Sequence, residues 1–372
     1  MNPVGLKGKK MKVIQELADY HDDIYTCNRT RCGFCREECP VYRVKGYETF
    51  SCRGKMLVAR GLIEGLLEPS KEMAEMLDSC LLCGYCQARC ALDNMDIIAA
   101  MRCEMAKQGL LAKAHRENAS KILKEGRLFD SQISTEIAGE TPFYIGCLYR
   151  SRPRELSTIF SALNRLDIYP RVGQEKCCGY IVGATGLVNE FEEAKKNYQE
   201  TFIEHKGDLT LTLCPTCTIT LKEKYELHVQ HAIVAVNQRL KDPLITRKLK
   251  PLNLKATYHD PCHLGRMLGI FEEPREILQQ LGVDIVEMEH NRYFSTCCGG
   301  GGGLKAIDDK LSIEIAKNRV RDAVNVGADM IITVCPTCES TLLRASGRLV
   351  NQIDKFIDVR SIWDLLDQSL SV

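Results

Sequence analysis

The sequence predicts an α + α/β chain, with a mostly helical first third followed by two similar layered α/β domains. Three observations predict it. Twenty cysteines in 372 residues fall into ordered groups. Up to about residue 130, apolar residues recur at three- and four-residue spacing, the period of a helix. From residue 142 the same string of motifs occurs twice, about 120 residues apart, which marks two copies of one domain and not a short-period solenoid. The expected boundaries are 1–140, 141–250 and 251–372.

Composition narrows the class. A hydrophobic share of 45% with 27% charged residues is that of an ordinary soluble protein. The formal net charge is +1 and the Lys and Arg residues form no stripe, so nothing favours nucleic acid or an anionic membrane. The opening MNPVGLKGKKMKVIQELADYHDD has lysines but no apolar signal-peptide core. No apolar run reaches the roughly 18 residues that span a bilayer. The expected location is cytoplasmic, with any membrane association supplied by a partner. In that setting, dense cysteine points to thiolates on metal or to redox thiols.

The first third carries CNRTRCGFCREECP, with Cys27, Cys32, Cys35 and Cys39, and CLLCGYCQARCA, with Cys80, Cys83, Cys86 and Cys90. The second run has the two, two and three spacing of a two-cluster ferredoxin, where three thiolates hold one cubane and the fourth crosses to the other. Cys27, Cys32 and Cys35 are therefore expected to share a 4Fe–4S cubane with Cys90, and Cys80, Cys83 and Cys86 to share another with Cys39. Two departures stand out: four residues separate Cys27 from Cys32, and Ala91 follows the last ligand where proline is usual. Paired CxxC units also make zinc sites, which is the rival reading. Cys52 and Cys103 read as small buried residues. Helices are expected over MKVIQELADY, over MLVARGLIEGLLE and from about Glu104 to Lys124. SQISTEIAGETP reads as a linker.

In the repeat, PFYIGCLYR with Cys147 returns as KATYHDPCHLGR with Cys262. EKCCGYIVGATG with Cys177 and Cys178 returns as STCCGGGGGLKA with Cys297 and Cys298. LTLTLCPTCTITL with Cys214 and Cys217 returns as MIITVCPTCESTL with Cys335 and Cys338. Short β-branched runs such as IITV and LTLTL are typical of buried parallel strands. The cysteines follow at the strands' carboxyl ends, where Pro215 and Pro336 sit just inside new helices. Segments such as EFEEAKKNYQETFIEH and LSIEIAKNRVRDAVNVG supply the intervening helices. Ligands gather at that edge of an α/β sheet, so five thiols per copy would meet there. A CxxC redox pair or a vicinal disulfide would each leave thiols idle. One site using all five suggests an unusual cluster, with glycines after the vicinal pair giving the backbone room to approach.

The repeated C…CCG…CPxC arrangement resembles the cysteine-rich CCG domain of heterodisulfide reductase. With two ferredoxin-type runs ahead of it, the chain resembles the D-subunit type of that family, equivalent to the C and B subunits fused. CREECPVYR, YHDPCHLGR and both CPTC units carry the resemblance, which spans Cys27 to Cys338. It implies two cubane and two noncubane 4Fe–4S clusters. The noncubane ones would be held by Cys147, Cys177, Cys178, Cys214 and Cys217, and by Cys262, Cys297, Cys298, Cys335 and Cys338. The implied reaction is two-electron cleavage of a disulfide of the coenzyme M–coenzyme B type, each sulfur captured by iron between the two clusters. The implied partner is a separate electron donor, a flavoprotein or cytochrome b type subunit, or a ferredoxin.

CCGY in the first copy against CCGG in the second suggests inequivalent sites. Arg150, Arg152, Lys176, Arg266 and Lys305 lie near the motifs and could receive an anionic substrate. His259 and His263 could donate protons or hydrogen bonds to sulfur, or merely cap and pack. No Ser-His-Asp or paired-carboxylate constellation points to hydrolysis. The glycine run lacks GxGxxG context, so flavin is expected on a partner. The alternative function is electron relay, as in iron–sulfur subunits of flavin-dependent 2-hydroxy-acid dehydrogenases. A zinc-bound scaffold is a third reading, poor at explaining the vicinal pairs.

Overall fold

The computed structural model describes residues 15–130, 136–198, 207–353 and 355–371. The first third is helical, with its main helices at His21–Thr30, Cys52–Ile63, Lys71–Asp78, Asn94–Lys107 and Lys113–Glu125. Ser51 caps one of them by accepting from the Gly54 amide at 3.0 Å, and Ser70 caps another through Met73 at 3.3 Å. The helix expected to run through residues 56–68 stops at Ile63, where the chain turns through a left-handed Gly65. The one expected over 104–124 is two helices, parted by a left-handed Gly109. The first four residues of MKVIQELADY, the start of the linker and the end of EFEEAKKNYQETFIEH lie outside the described residues.

Among the described residues each repeat forms a four-stranded, all-parallel sheet. The first contains β1 (Thr141–Tyr144), β2 (Pro170–Arg171), β3 (Thr210–Thr212) and β4 (Val229–His231), in the order β2-β1-β3-β4. The second contains β5 (Leu254–Tyr258), β6 (Val283–Ile285), β7 (Met330–Thr333) and β8 (Asp358–Ser361), in the order β6-β5-β7-β8. The topology is therefore the same twice. Register is set by pairs such as Phe143 with Leu211 and Thr257 with Ile331. The observed class is α + α/β.

The two sheets share one apolar core. Helix Pro153–Arg165 packs on helix Ile362–Leu370, and Ala232–Arg239 on Glu272–Gln280. Phe143, Leu163 and Ile233 thereby join Tyr258, Ile332 and Trp363 in one cluster. Full burial of such a side chain contributes about 1.5–3 kcal/mol. The joint holds the sheets so that the loops after β1, β3, β5 and β7 open onto common ground.

Candidate functional site

Those loops carry the lone cysteines and the CPTC units, and the vicinal pairs follow β2 and β6. In the first repeat, Cys147 Sγ lies 3.7 Å from Cys177 Sγ. Cys177 touches Cys178, Cys178 touches Cys217, and Cys217 touches Cys214. The second repeat has the same chain of contacts: Cys262 to Cys297, Cys297 to Cys298, Cys298 to Cys338, Cys338 to Cys335. Pro215 and Pro336 occupy the first helical position, where no amide hydrogen is needed, so each CPTC turns into its helix without a lost bond. All ten thiols line a single cavity of about 570 Å³.

In the helical third, Cys27 lies among Cys32, Cys35 and Cys90, and Cys39 among Cys80 and Cys83, with Cys86 beside Cys80. The second group lines one small cavity. Burial pushes the Cys27 thiol up to about 11 and the Cys39 thiol up to about 12. Cys52, read from sequence as a packing residue, is buried and touches both Cys35 and Cys86, one thiol from each group. Cys103 joins neither group.

The five glycines have a particular neighbour. A Cβ on Gly301 would lie 2.8 Å from the Leu81 carbonyl, and one on Gly302 would lie 2.3 Å from the Cys80 carbonyl. Gly302 also has φ of +62°. The run clears side chains so that the loop after the second vicinal pair can press against the Cys80–Leu81 backbone of the helical module. Arg102 fastens the junction by donating to the carbonyls of Leu77, Cys80, Ala184 and Gly302. Direct contact follows between the Cys83 and Cys297 thiols.

The basic residues near the motifs divide. Arg152 and Lys305 line the large cavity. Arg150 does not: it pairs with the buried Glu175 at 3.1 Å, and Glu175 in turn accepts from the Ile145 and Gly146 amides. Lys176 lies outside the lining, its stem against Gly126. Arg266 stacks on Tyr85 and donates to the Ser295 carbonyl, at the module junction instead of the cavity. The Lys305 ammonium is held below the usual lysine range by burial and by the neighbouring cations Arg344 and Arg152.

His263 lines the cavity, with Nδ1 2.7 Å from Thr216 Oγ1, and burial pushes it down to about 4, so it is neutral. His259 has a fixed tautomer. The buried Arg319 donates to its Nδ1 at 3.2 Å, so the ring proton sits on Nε2. An imidazole nitrogen of His259 and the Cys298 and Cys338 sulfurs lie within 4.8 Å of one another. The first repeat has Ile145 and Gly146 where the second has His259 and Asp260, so only one site has this donor. Sequence reasoning missed Tyr149, which lines the cavity with its buried hydroxyl unpartnered, and Leu128 and Phe129, which reach it from behind helix Lys113–Glu125. Tyr149 lies within PFYIGCLYR but was not singled out, and Leu128 and Phe129 belong to no motif.

The donor chemistry fits iron–sulfur clusters. Every group is made of thiols, and a tetrahedral zinc ion would leave a fifth thiol unused in each repeat.

Residues 23–94 match the 4Fe-4S dicluster domain family, and residues 141–222 and 256–343 each match the cysteine-rich domain family, CCG. The chain is 29% identical to the D subunit of the dihydromethanophenazine:CoB–CoM heterodisulfide reductase of Methanosarcina acetivorans, over 92% of this chain and 93% of the relative. It is 28% identical to the B subunit of the fumarate reductase (CoM/CoB) of Methanothermobacter marburgensis, over 95% and 74%. It is 24% identical to a probable glycolate oxidase iron–sulfur subunit of Bacillus subtilis, over 89% and 91%. Among the described residues no helix is long and apolar enough to cross a membrane. The chain belongs to the CCG-domain iron–sulfur family and is an electron-transfer protein of the same type as the heterodisulfide reductase D subunits.

Proposed function

We propose that this chain reduces a disulfide, taking electrons one at a time into its helical third and spending them in pairs in the cavity between the repeats. The observation that carries this reading is that both five-cysteine sets face the same cavity of about 570 Å³. A pure relay needs clusters in line, not two sets turned toward one space. The reaction is RSSR′ + 2 e⁻ + 2 H⁺ → RSH + R′SH. In this reading Cys27, Cys32, Cys35 and Cys90 hold one cubane, and Cys39, Cys80, Cys83 and Cys86 hold the other. The repeat sets each hold a noncubane 4Fe–4S cluster. When bound, iron there supplies electrons and positions for substrate sulfur.

The chain's own residues do the rest. Arg152 and Lys305 give an anionic end of the disulfide its cationic partners at the cavity wall. Neutral His263, tied to Thr216, offers a hydrogen bond without adding charge. Apolar walls from Leu128, Phe129 and Ile181 keep water from the reacting sulfurs. Electrons reach the cavity through the Cys83–Cys297 contact, so the second repeat receives them first. The electron donor is a separate flavoprotein or cytochrome b type subunit, and the substrate is of the coenzyme M–coenzyme B heterodisulfide type.

Likeness to the glycolate oxidase subunit favours one other reading, relay for a flavin-dependent 2-hydroxy-acid dehydrogenase. The chain, purified without oxygen and reduced, is mixed with coenzyme M–coenzyme B heterodisulfide. Disulfide reduction predicts one thiol of each kind released per two electrons consumed. A fully iron-loaded chain that reduces neither this nor another anionic disulfide, yet accepts electrons from a 2-hydroxy-acid flavoprotein, would support the relay.

A further inference from the structure

Two buried cations in the helical third have no acidic partner. Lys55 is 2% exposed and Arg102 is 1% exposed. Lys55 Nζ donates to the Phe50 carbonyl at 2.6 Å, and Arg102 donates to backbone carbonyls alone. Neither forms an ion pair among the described residues. The three other buried cations all do: Arg275 with Asp260 and Glu287, Lys317 with Glu314, and Arg319 with Asp322. Asp78, whose backbone Arg102 approaches, turns its carboxylate toward His115 at 3.6 Å.

An unpaired buried charge is costly, so a structure that keeps two such charges at one cysteine group implies an anion there. Both bear on the same cysteine group. Lys55 lines the small cavity with Cys39, Cys80, Cys83 and Cys86, and Arg102 donates to the Cys80 carbonyl at 2.6 Å. Among the described residues the Cys27 group has no equivalent. Its cation is Arg53, half-buried and compensated by Glu48 at 3.6 Å.

We infer that Lys55 and Arg102 are the built-in counter-charges of the cluster held by Cys39, Cys80, Cys83 and Cys86, and that they set its reduction potential above that of the cluster held by Cys27, Cys32, Cys35 and Cys90. This rests on the reading that both cysteine groups hold cubanes. A cubane on four thiolates is anionic and gains one further negative charge on reduction. Fixed cations favour the reduced form, in which the added electron has no proton to accompany it. The helical third thereby becomes a downhill wire, with electrons resting on the cluster that touches the second repeat.

The test is a redox titration of the iron-loaded chain followed by paramagnetic resonance, comparing wild type with Lys55→Met and Lys55→Gln. The glutamine keeps a donor for the Phe50 carbonyl and removes only the charge. Both variants are expected to lower the higher of the two cubane midpoints, with about a tenfold fall in its reduced-to-oxidised ratio at fixed potential, about 59 mV for one electron. The lower midpoint should stay in place. Arg102→Lys, which keeps the charge, should shift it less. Without iron the sign reverses: apo Lys55→Met should melt above apo wild type, having lost an unpaired buried charge. Unchanged midpoints in an iron-loaded Lys55→Gln chain would overturn the inference. So would a shift confined to the lower midpoint, or an apo Lys55→Met that melts below wild type. Wild type lacking iron at either cubane would instead overturn the cluster reading beneath it.

Discussion

The Cys83 and Cys297 thiols touch across the boundary between the helical third and the second repeat. Arg266 bears on both Cys83 and Cys262 from its stack on Tyr85, placing a cation where electrons would cross. No contact of this kind links an amino-terminal thiol to the first repeat among the described residues. The repeats are alike in fold and unlike in connection.

That asymmetry predicts an order of reduction. Cys214→Ala should leave the second repeat reducible at the wild-type rate while disulfide turnover falls at least a hundredfold. Cys335→Ala should block both. Rapid-mixing absorbance alongside a thiol assay separates the steps, and equal loss of both activities in the two variants would contradict the route.

Lys305→Ala should raise the KM for an anionic disulfide about tenfold, or about 1.4 kcal/mol, with kcat within about twofold, because the ammonium binds substrate and transition state alike. Arg152→Ala should do less, since Glu155 already takes part of its charge at 3.0 Å. Steady-state kinetics with a neutral disulfide as control checks this. An equal KM rise for the neutral compound would speak for lost packing, not lost charge.

Gly302→Ala should cost several kcal/mol, on the scale of severe backbone clashes, because its Cβ would strike the Cys80 carbonyl at 2.3 Å. Gly269→Ala is the control. It also has positive φ, +73°, but nothing within 4 Å of its Cβ, so only about 1 kcal/mol is expected. Similar denaturation midpoints for the two variants would mean that the glycine run does not serve module packing.

His231 is fully buried, its Nε2 3.0 Å from the Leu213 carbonyl and its ring stacked on Trp363. Burial pushes it down to about 4. The unfolded chain binds the proton near pH 6.5 and the folded chain refuses it until about 4. Its contribution is therefore whole above about 6.5 and lost as pH falls toward 4, at up to about 1.4 kcal/mol per pH unit. His231→Gln should flatten the fall of urea midpoint over that window. An unchanged slope would contradict it.

Much of this was legible in the sequence because cysteine spacing is a local signal. The ferredoxin-type runs, the CPTC turns and the repeat all show in the linear order, and strands such as Met330–Thr333 are apolar runs that end at their cysteines. What was hidden depends on distance along the chain. Arg102 and Gly302 are 200 residues apart, and neither says in sequence that it will close one junction. Of five basic residues beside the motifs only Arg152 and Lys305 reach the cavity, because neighbours such as Glu175 and Tyr85 claim others. The glycine run was read as room for a cluster, and the structure adds a neighbouring backbone that needs the space.

The central claim is that all four cysteine groups hold four-iron clusters. Iron and acid-labile sulfide per chain, on protein purified without oxygen, test it most directly. The account predicts about 16 iron atoms and a similar amount of sulfide. About 8, confined to the helical third, would leave ten thiols around an iron-free cavity and contradict it.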